Sequence, residues 1–482
     1  MPSERRFGWA WQTGCVPRFL ATSTDAALIS LPWDIPLAHW PTEQLVALPR
    51  GLSRHVVRFI RVGAQVLAAK EIPQELAERE YGLLHDLDRL NVPSVEAFGV
   101  ITDRRDPDGD PLDPVLLTRH LQFSLPYRSL FTPGVRRETA MRLLDAMVVL
   151  LVRLHLSGFM WGDASLSNIL FRRDAGTYAA YLVDTETGEL HDQLSDGQRE
   201  SDLQIARMNM FGDFLDLQAG GLLEQSLDPE NLVDTIDARY RELWAELTQV
   251  EEFPGSELYR IENRVRRLNA LGFDVAELSI TTSPDGDRVR VRPRVVDAGH
   301  HSRRLMQLTG LDTEEHQARR LLNDMEVFRA STHQEGVDEA LVAHEWVRQC
   351  FVPVLDAIPS ELMRKREPAQ LYHEILDYRW YQSQRESRSV PMLEAVKGYV
   401  RDVLAALPDE KLASDWMLRA EDSPNLANPA DPSMGLADEA VDDADDDDVP
   451  VDPWEAGAED VDVDAASLLE RAILAARAAQ AA

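Results

Sequence analysis

The segment RRETAMRLLDAMVVLLVRLHLSG, residues 136–158, constrains this chain most. Its helical period carries an apolar face broad enough to be buried, so the fold must pack around it, and Gly158 is well placed to end it. No run in the sequence approaches the roughly 18 consecutive apolar residues a membrane span needs. No membrane span is therefore expected, and a helix of this kind belongs in a protein core.

The next stretch, GFMWGDASLSNILF (158–171), sets Asp163 five positions before Asn168 at the entrance to a strand. NILF and YAAYLVD flank the turn RRDAGT as a hairpin. Antiparallel pairing brings Asn168, which opens the first strand, to the same end as Asp184, which closes the second. Asp163 lies in the loop feeding that end. Asn168 and Asp184 suit a hard, oxygen-seeking cation such as Mg²⁺, and Asp163 suits the orienting or deprotonation of an attacking hydroxyl. That division of labour is the one phosphoryl transfer requires. Asp-x4-Asn alone is weak in so acidic a chain, where a turn-capping Asp explains it equally well. The hairpin ending in Asp184 adds the weight.

Lys70 is the second signal. Of 50 basic residues only four are lysines (Lys70, Lys365, Lys397 and Lys411), so Lys70 is the sole lysine in the first 364 positions. A compact ammonium fits between phosphate oxygens and a carboxylate as a guanidinium fork does not. Lys70 ends the strand QVLAAKE, which pairs with HVVRFIRV across Gly63-Ala64, and precedes a helical segment bearing Glu75, Glu78 and Glu80. Two more strands, VPSVEAFGVI and DPVLLTRHL, flank a polar turn. Strand, strand, helix, strand, strand describes a small sheet with one helix on it.

This order (strand lysine, helix glutamate, strand pair, long helix, GD-x4-N, strand ending in Asp) resembles the protein kinase-like superfamily over residues 45–190. It is most similar to the atypical bacterial branches, the lipopolysaccharide kinases of the Kdo/WaaP type and the aminoglycoside phosphotransferases, here followed by a C-terminal domain of unassigned function. The resemblance implies an α+β, two-lobed kinase-like fold and an ATP- and Mg²⁺-dependent phosphotransferase. Asp163 matches the catalytic base, and Asn168 and Asp184 the metal ligands. Lys70 matches the phosphate-contacting lysine, with Glu80 its partner and Glu78 or Glu75 alternatives. Main-chain groups from Leu117 to Arg119 would meet adenine, and Gly51 and Ser53 occupy the phosphate-loop position. Trp161 and Gly162 replace the family's usual His and Arg, Asp184-Thr185-Glu186 replaces DFG, and Gly51 is the only glycine in its loop. Asp202 is placed to brace the catalytic loop from the helix beneath.

The implied partners are a nucleotide and a hydroxyl-bearing acceptor. The competing reading is a pseudokinase, a nucleotide-binding or protein-interaction module, whose acidic tail engages a protein partner; nucleotidyl transfer on the same fold is a third. The net charge of −33 gathers partly in residues 438–464, with 11 Asp, 3 Glu and no Lys or Arg, and argues against nucleic-acid binding. Two cysteines preclude a disulfide framework and fit a cytoplasmic setting. The alternating Arg288, Arg290, Arg292 and Arg294 are expected to form a solvated strand face. The expected organisation is a lead-in (1–40), an N-lobe (41–118), a C-lobe core (119–224), a mostly helical domain (225–405), a disordered acidic tail (406–464) and a short terminal helix (465–482).

Overall fold

The computed structural model describes residues 17–22, 26–48, 54–63, 65–131, 135–249, 299–334 and 336–410, and the backbone of three strands between 251 and 294. Gly51, Ser53, the acidic tail beyond 410 and the terminal segment 465–482 lie outside the described residues.

The first sheet contains β1 (Arg18–Ala21), β2 (Val56–Val62), β3 (Gln65–Glu71), β4 (Ala97–Thr102) and β5 (Val115–Arg119). All pairings are antiparallel, in spatial order β1-β4-β5-β3-β2. The helix α1 (Gln74–Arg89) turns Ala77, Glu80, Leu84 and Leu87 inward. The opposite sheet face is covered by Leu28, Leu31, Trp33, Leu37 and Trp40, packed on Ile60, Leu67, Phe98 and Leu117. The described part of residues 17–40 thus supplies the sheet with an edge strand and a covering layer. Arg104, 1% exposed, ties it down. Its guanidinium donates to the carbonyls of Trp33 (2.9 Å), Ile35 (2.6 Å) and Asp113 (2.5 Å) and pairs with Glu71 at 2.7 Å. A buried guanidinium is tolerated only when its donors are paired in this way.

The second body begins with the short strand β6 (Leu125–Pro126), followed by α2 (Arg137–Leu156), the core helix anticipated above. Next come β7 (Phe159–Met160), the hairpin β8 (Ile169–Asp174) and β9 (Thr177–Leu182), and β10 (Glu189–Leu190). Two helices complete it: α3 (Asp196–Ala219), started by a Ser195–Gln198 capping box, and α4 (Pro229–Thr248), capped by Asp228 with Pro229 in the first turn. Leu143, Met147, Leu150 and Leu154 of α2 meet Ala180 and Leu182 of β9 and Leu232, Ile236 and Leu243 of α4 in one core. The boundary expected at 224 thus precedes a helix that closes this core.

Beyond it, β11 (Glu251–Pro254), β12 (Glu277–Thr282) and β13 (Arg288–Arg294) form a sheet in the order β11-β13-β12. The side chains of Arg288, Arg290, Arg292 and Arg294 lie outside the described residues. Among the described residues the longer helices that follow are α5 (His300–Thr309), α6 (Glu315–Ser331), α7 (Glu339–Trp346), α8 (Pro368–Glu386) and α9 (Met392–Asp402), with a short helical piece at Val352–Asp356. They share a separate core around Leu321, Met325, Trp346, Tyr372 and Tyr399. The apolar residues of α8 serve that core. The chain is α+β, and among the described residues no helix is long and apolar enough to cross a membrane.

Gly158 has φ +81°, and a Cβ there would stand 2.0 Å from the His191 carbonyl oxygen, whereas a Cβ on Gly82 in α1 meets nothing within 4 Å. Gly158→Ala is expected to destabilise by more than about 2 kcal/mol and Gly82→Ala to stabilise by about 0.5–1 kcal/mol. Urea unfolding midpoints of the two variants measure this.

Candidate active site

In β3, Lys70 lies between Val57 of β2 and Leu116 of β5. Its Nζ is 3.0 Å from Glu80 Oε2 on α1, 2.9 Å from Asp184 Oδ2 just past β9, and 3.8 Å from Glu186 Oε2. Glu80, 2% exposed, takes the place for which Glu75 and Glu78 were alternatives; those two face outward. Burial disfavours the Lys70 ammonium, but the charges of Glu80 and Asp184 outweigh it and hold its pKa above the ordinary value. Burial, reinforced by the Asp184 charge and only partly offset by Lys70, pushes Glu80 up to about 7. Two carboxylates here compete for one ammonium.

The loop carrying Asp163 is held from below. Asp202, fully buried on α3, accepts the backbone N–H of Trp161 and of Gly162, each at 2.7 Å. It also sits 3.0 Å from His155 Nε2, while His155 Nδ1 is 2.5 Å from the Tyr240 hydroxyl. Asp213 accepts Leu166 N–H at 2.7 Å, and Asn209 donates to Asp163 Oδ1 at 2.9 Å. Asn168 Nδ2 donates to the Asp163 carbonyl at 3.1 Å. Gly162 takes φ +77°, a conformation suited to glycine. Asn209 and Asp213 escaped the sequence reading. Their signal is spacing: 202, 209 and 213 are i, i+7 and i+11, one face of a helix.

Between the sheet and this loop lies a cavity of about 760 Å³. Its lining combines apolar side chains (Val57, Ala68, Leu116 and Leu170) with polar ones (Lys70, Asp163, Asn168 and Asp184). Leu117 does not reach it. Its side chain is fully buried on the far side of the sheet, and its backbone lies within the ladder against Ala69 and Gly99. Arg119 lines the rim with its Nε 2.9 Å from Glu96, but its amide donates to the Glu96 carbonyl and that of His120 to Val66. Leu121, the first residue past those bonds, also lines the cavity. Burial lowers His120 to about 4, so its ring is neutral at pH 7. His55 Nε2 lies 3.0 Å from Glu186 Oε2, and Arg54 3.9 Å from Asp163 Oδ2. Both contacts follow directly on the Gly51–Ser53 segment, and no sequence pattern announced them.

A family model described as a domain of unknown function (DUF4032) matches residues 242–404. Among solved structures, the chain is similar to WaaP in complex with acyl carrier protein, at 14% identity over 47% of this chain and 99% of that one, with a TM-score of 0.29. No curated protein matches.

An unfolded glutamate titrates near 4.5, and folded Glu80 near 7. Between those values the native state keeps a proton the unfolded chain has released, so the resulting stability is complete below about 4.5 and lost as pH rises through 7. Relative to Glu80→Gln, the wild type should lose on the order of 1–3 kcal/mol between about pH 5 and pH 8. Paired thermal or urea unfolding across that range measures it; a gain with pH would mean that Lys70 outweighs burial.

Proposed function

We propose that the cavity binds ATP and that the chain transfers the terminal phosphoryl group to a hydroxyl acceptor. One observation carries this reading. Lys70 and Asp184, 114 residues apart, meet Glu80 in a cleft whose lining also holds Asp163, Asn168 and the apolar Val57, Ala68, Leu116 and Leu170. In this reading the first sheet with α1 and the body built on α2 are the two lobes of a protein kinase-like fold, and residues 225–405 are an added domain whose first helix is shared with the second lobe.

The donor set fits Mg²⁺, which takes oxygen ligands and is held by one or two carboxylates together with substrate phosphates. Asn168 spends its Nδ2 on the Asp163 carbonyl, which turns Oδ1 to a cation; Asp184 supplies the carboxylate. When bound, Mg²⁺ neutralises charge on the transferring phosphate. Lys70 holds phosphate oxygens as a point charge, and Glu80 keeps it extended toward them. Asp163, with Oδ1 fixed by Asn209, presents Oδ2 to the acceptor hydroxyl and takes its proton. The apolar lining accommodates the base, with the main chain at Leu121 replacing Leu117 as its partner and Arg119 beside it. Gly51 and Ser53 remain the proposed phosphate-loop residues.

A second reading, an interaction module, draws on the side-chain contacts within the cleft: Lys70 pairs with Asp184 and the His55 ring lies 3.0 Å from Glu186. Thermal unfolding with ATP, with and without Mg²⁺, separates the two. At about 100 times its dissociation constant, bound ligand should add roughly 2.7 kcal/mol, in the wild type but not in Asp184→Asn. Asp163→Asn should retain that binding while transfer falls by about 10²–10⁴-fold. Wild-type turnover in Asp163→Asn would overturn the assignment, absence of a metal-dependent shift would favour the interaction module, and AMP on the acceptor would identify nucleotidyl transfer.

A further inference from the structure

The β8–β9 hairpin has two faces, and both are covered. Ile169, Phe171, Ala180 and Leu182 point into the α2 core. On the other face Leu170 lines the cavity, while Arg172 and Tyr181 meet the C-terminal helices. Arg172 forks between Glu314 at 2.8 Å and Glu367 at 2.6 Å, and the Tyr181 hydroxyl donates to Glu314 at 2.7 Å. At the tip Asp174, 2% exposed, accepts the backbone amides of Gln317 (2.7 Å) and His316 (3.2 Å), the free donors of the first turn of α6. Gln317 in turn donates to the Arg173 carbonyl at 2.9 Å, and the Ala175 amide donates to Gln370 at 3.1 Å. Surface ion pairs of a loosely tethered domain contribute little. These are buried, partly bidentate and joined to main-chain groups, so separating the two parts would strand charges and amides out of water.

The hairpin they grip is the one that carries Asn168 and Asp184. Its ladder runs unbroken from Asp174↔Thr177 at the tip to Ile169↔Leu182, and the Val183 amide donates to the Asn168 carbonyl at 3.0 Å, closing the open end. A twist imposed at the tip reaches that end because the strands between have no bulge to absorb it.

We infer that the C-terminal helices, α6 and α8 in particular, act as a clamp that fixes the relative positions of Asn168 and Asp184, with Arg172 and Asp174 as positioning residues. The structural part stands on these contacts; its consequence for a bound cation rests on the function proposed above. The region matched by the DUF4032 model is then a brace for the site in the preceding body.

Amide hydrogen exchange on the full chain tests the clamp without any activity. In Arg172→Met, and in Glu367→Gln should the first variant fold poorly, the Val183 amide should exchange about tenfold or more faster than in wild type. The control Arg304→Met removes the Arg304–Glu339 contact (2.7 Å), which lies wholly within the C-terminal helices, and should leave Val183 unchanged. Faster exchange confined to residues 172–177, or equal acceleration in the control, would overturn the inference. Affinity for Mn²⁺ in the presence of ATP provides the functional arm, with a weakening of about 10–100-fold expected in Arg172→Met and metal-free ATP binding unchanged. Equal weakening of both would reduce Arg172 to a general stability role and overturn its positioning assignment. If wild type binds no nucleotide, the proposed function fails while the Val183 readout still judges the clamp.

Discussion

One ammonium shared by two carboxylates organises this molecule. Lys70 reaches Glu80 across the sheet-to-helix contact and Asp184 across the cleft, so three separately folded pieces must be in register for it to be satisfied. Removing one partner of a buried ion pair commonly costs about 3–5 kcal/mol, because the remaining charge is stranded. The position of α1 over the sheet and that of the hairpin end below it are therefore not independent. The same crowding raises the Glu80 pKa to about 7, so its charge responds to any other charge placed beside the cleft floor.

The loop beneath follows a different logic. Irregular backbone near a core needs partners for its N–H groups, and α3 provides them through Asp202 and Asp213. Asp202 grips the amides of Trp161 and Gly162, not their side chains. That explains how side chains as unlike as a tryptophan and a glycine can stand here: the hold is on the main chain. Trp161 turns the position to packing and is fully buried.

Much of this could be read in the sequence, and the rest had physical reasons to stay hidden. Lys70 stood out because arginine dominates the basic residues, and the convergence of Asn168 with Asp184 followed from antiparallel geometry alone. The spacing of Glu80 was compatible with two neighbouring glutamates, and only the inward face of α1 separates them. Leu117 was assigned to the cavity because a strand's register, which decides where its ladder ends, is set by partners far away. β1 is four residues long, too short for alternation to register among tryptophans and prolines. The amphipathic period of α4 announced a helix without saying which core it would join. His55 and Glu186 lie 131 positions apart and share no pattern.

The lead-in changes what counts as a separable piece of this protein. Cutting ahead of residue 41 would leave the outer edge of β4 bare, its amides and carbonyls open to strand addition by a second copy. It would also deprive Arg104 of two carbonyl acceptors and strip away the layer that buries it. Recombination or grafting that treats the sheet as a portable cassette must carry residues 18–40 with it.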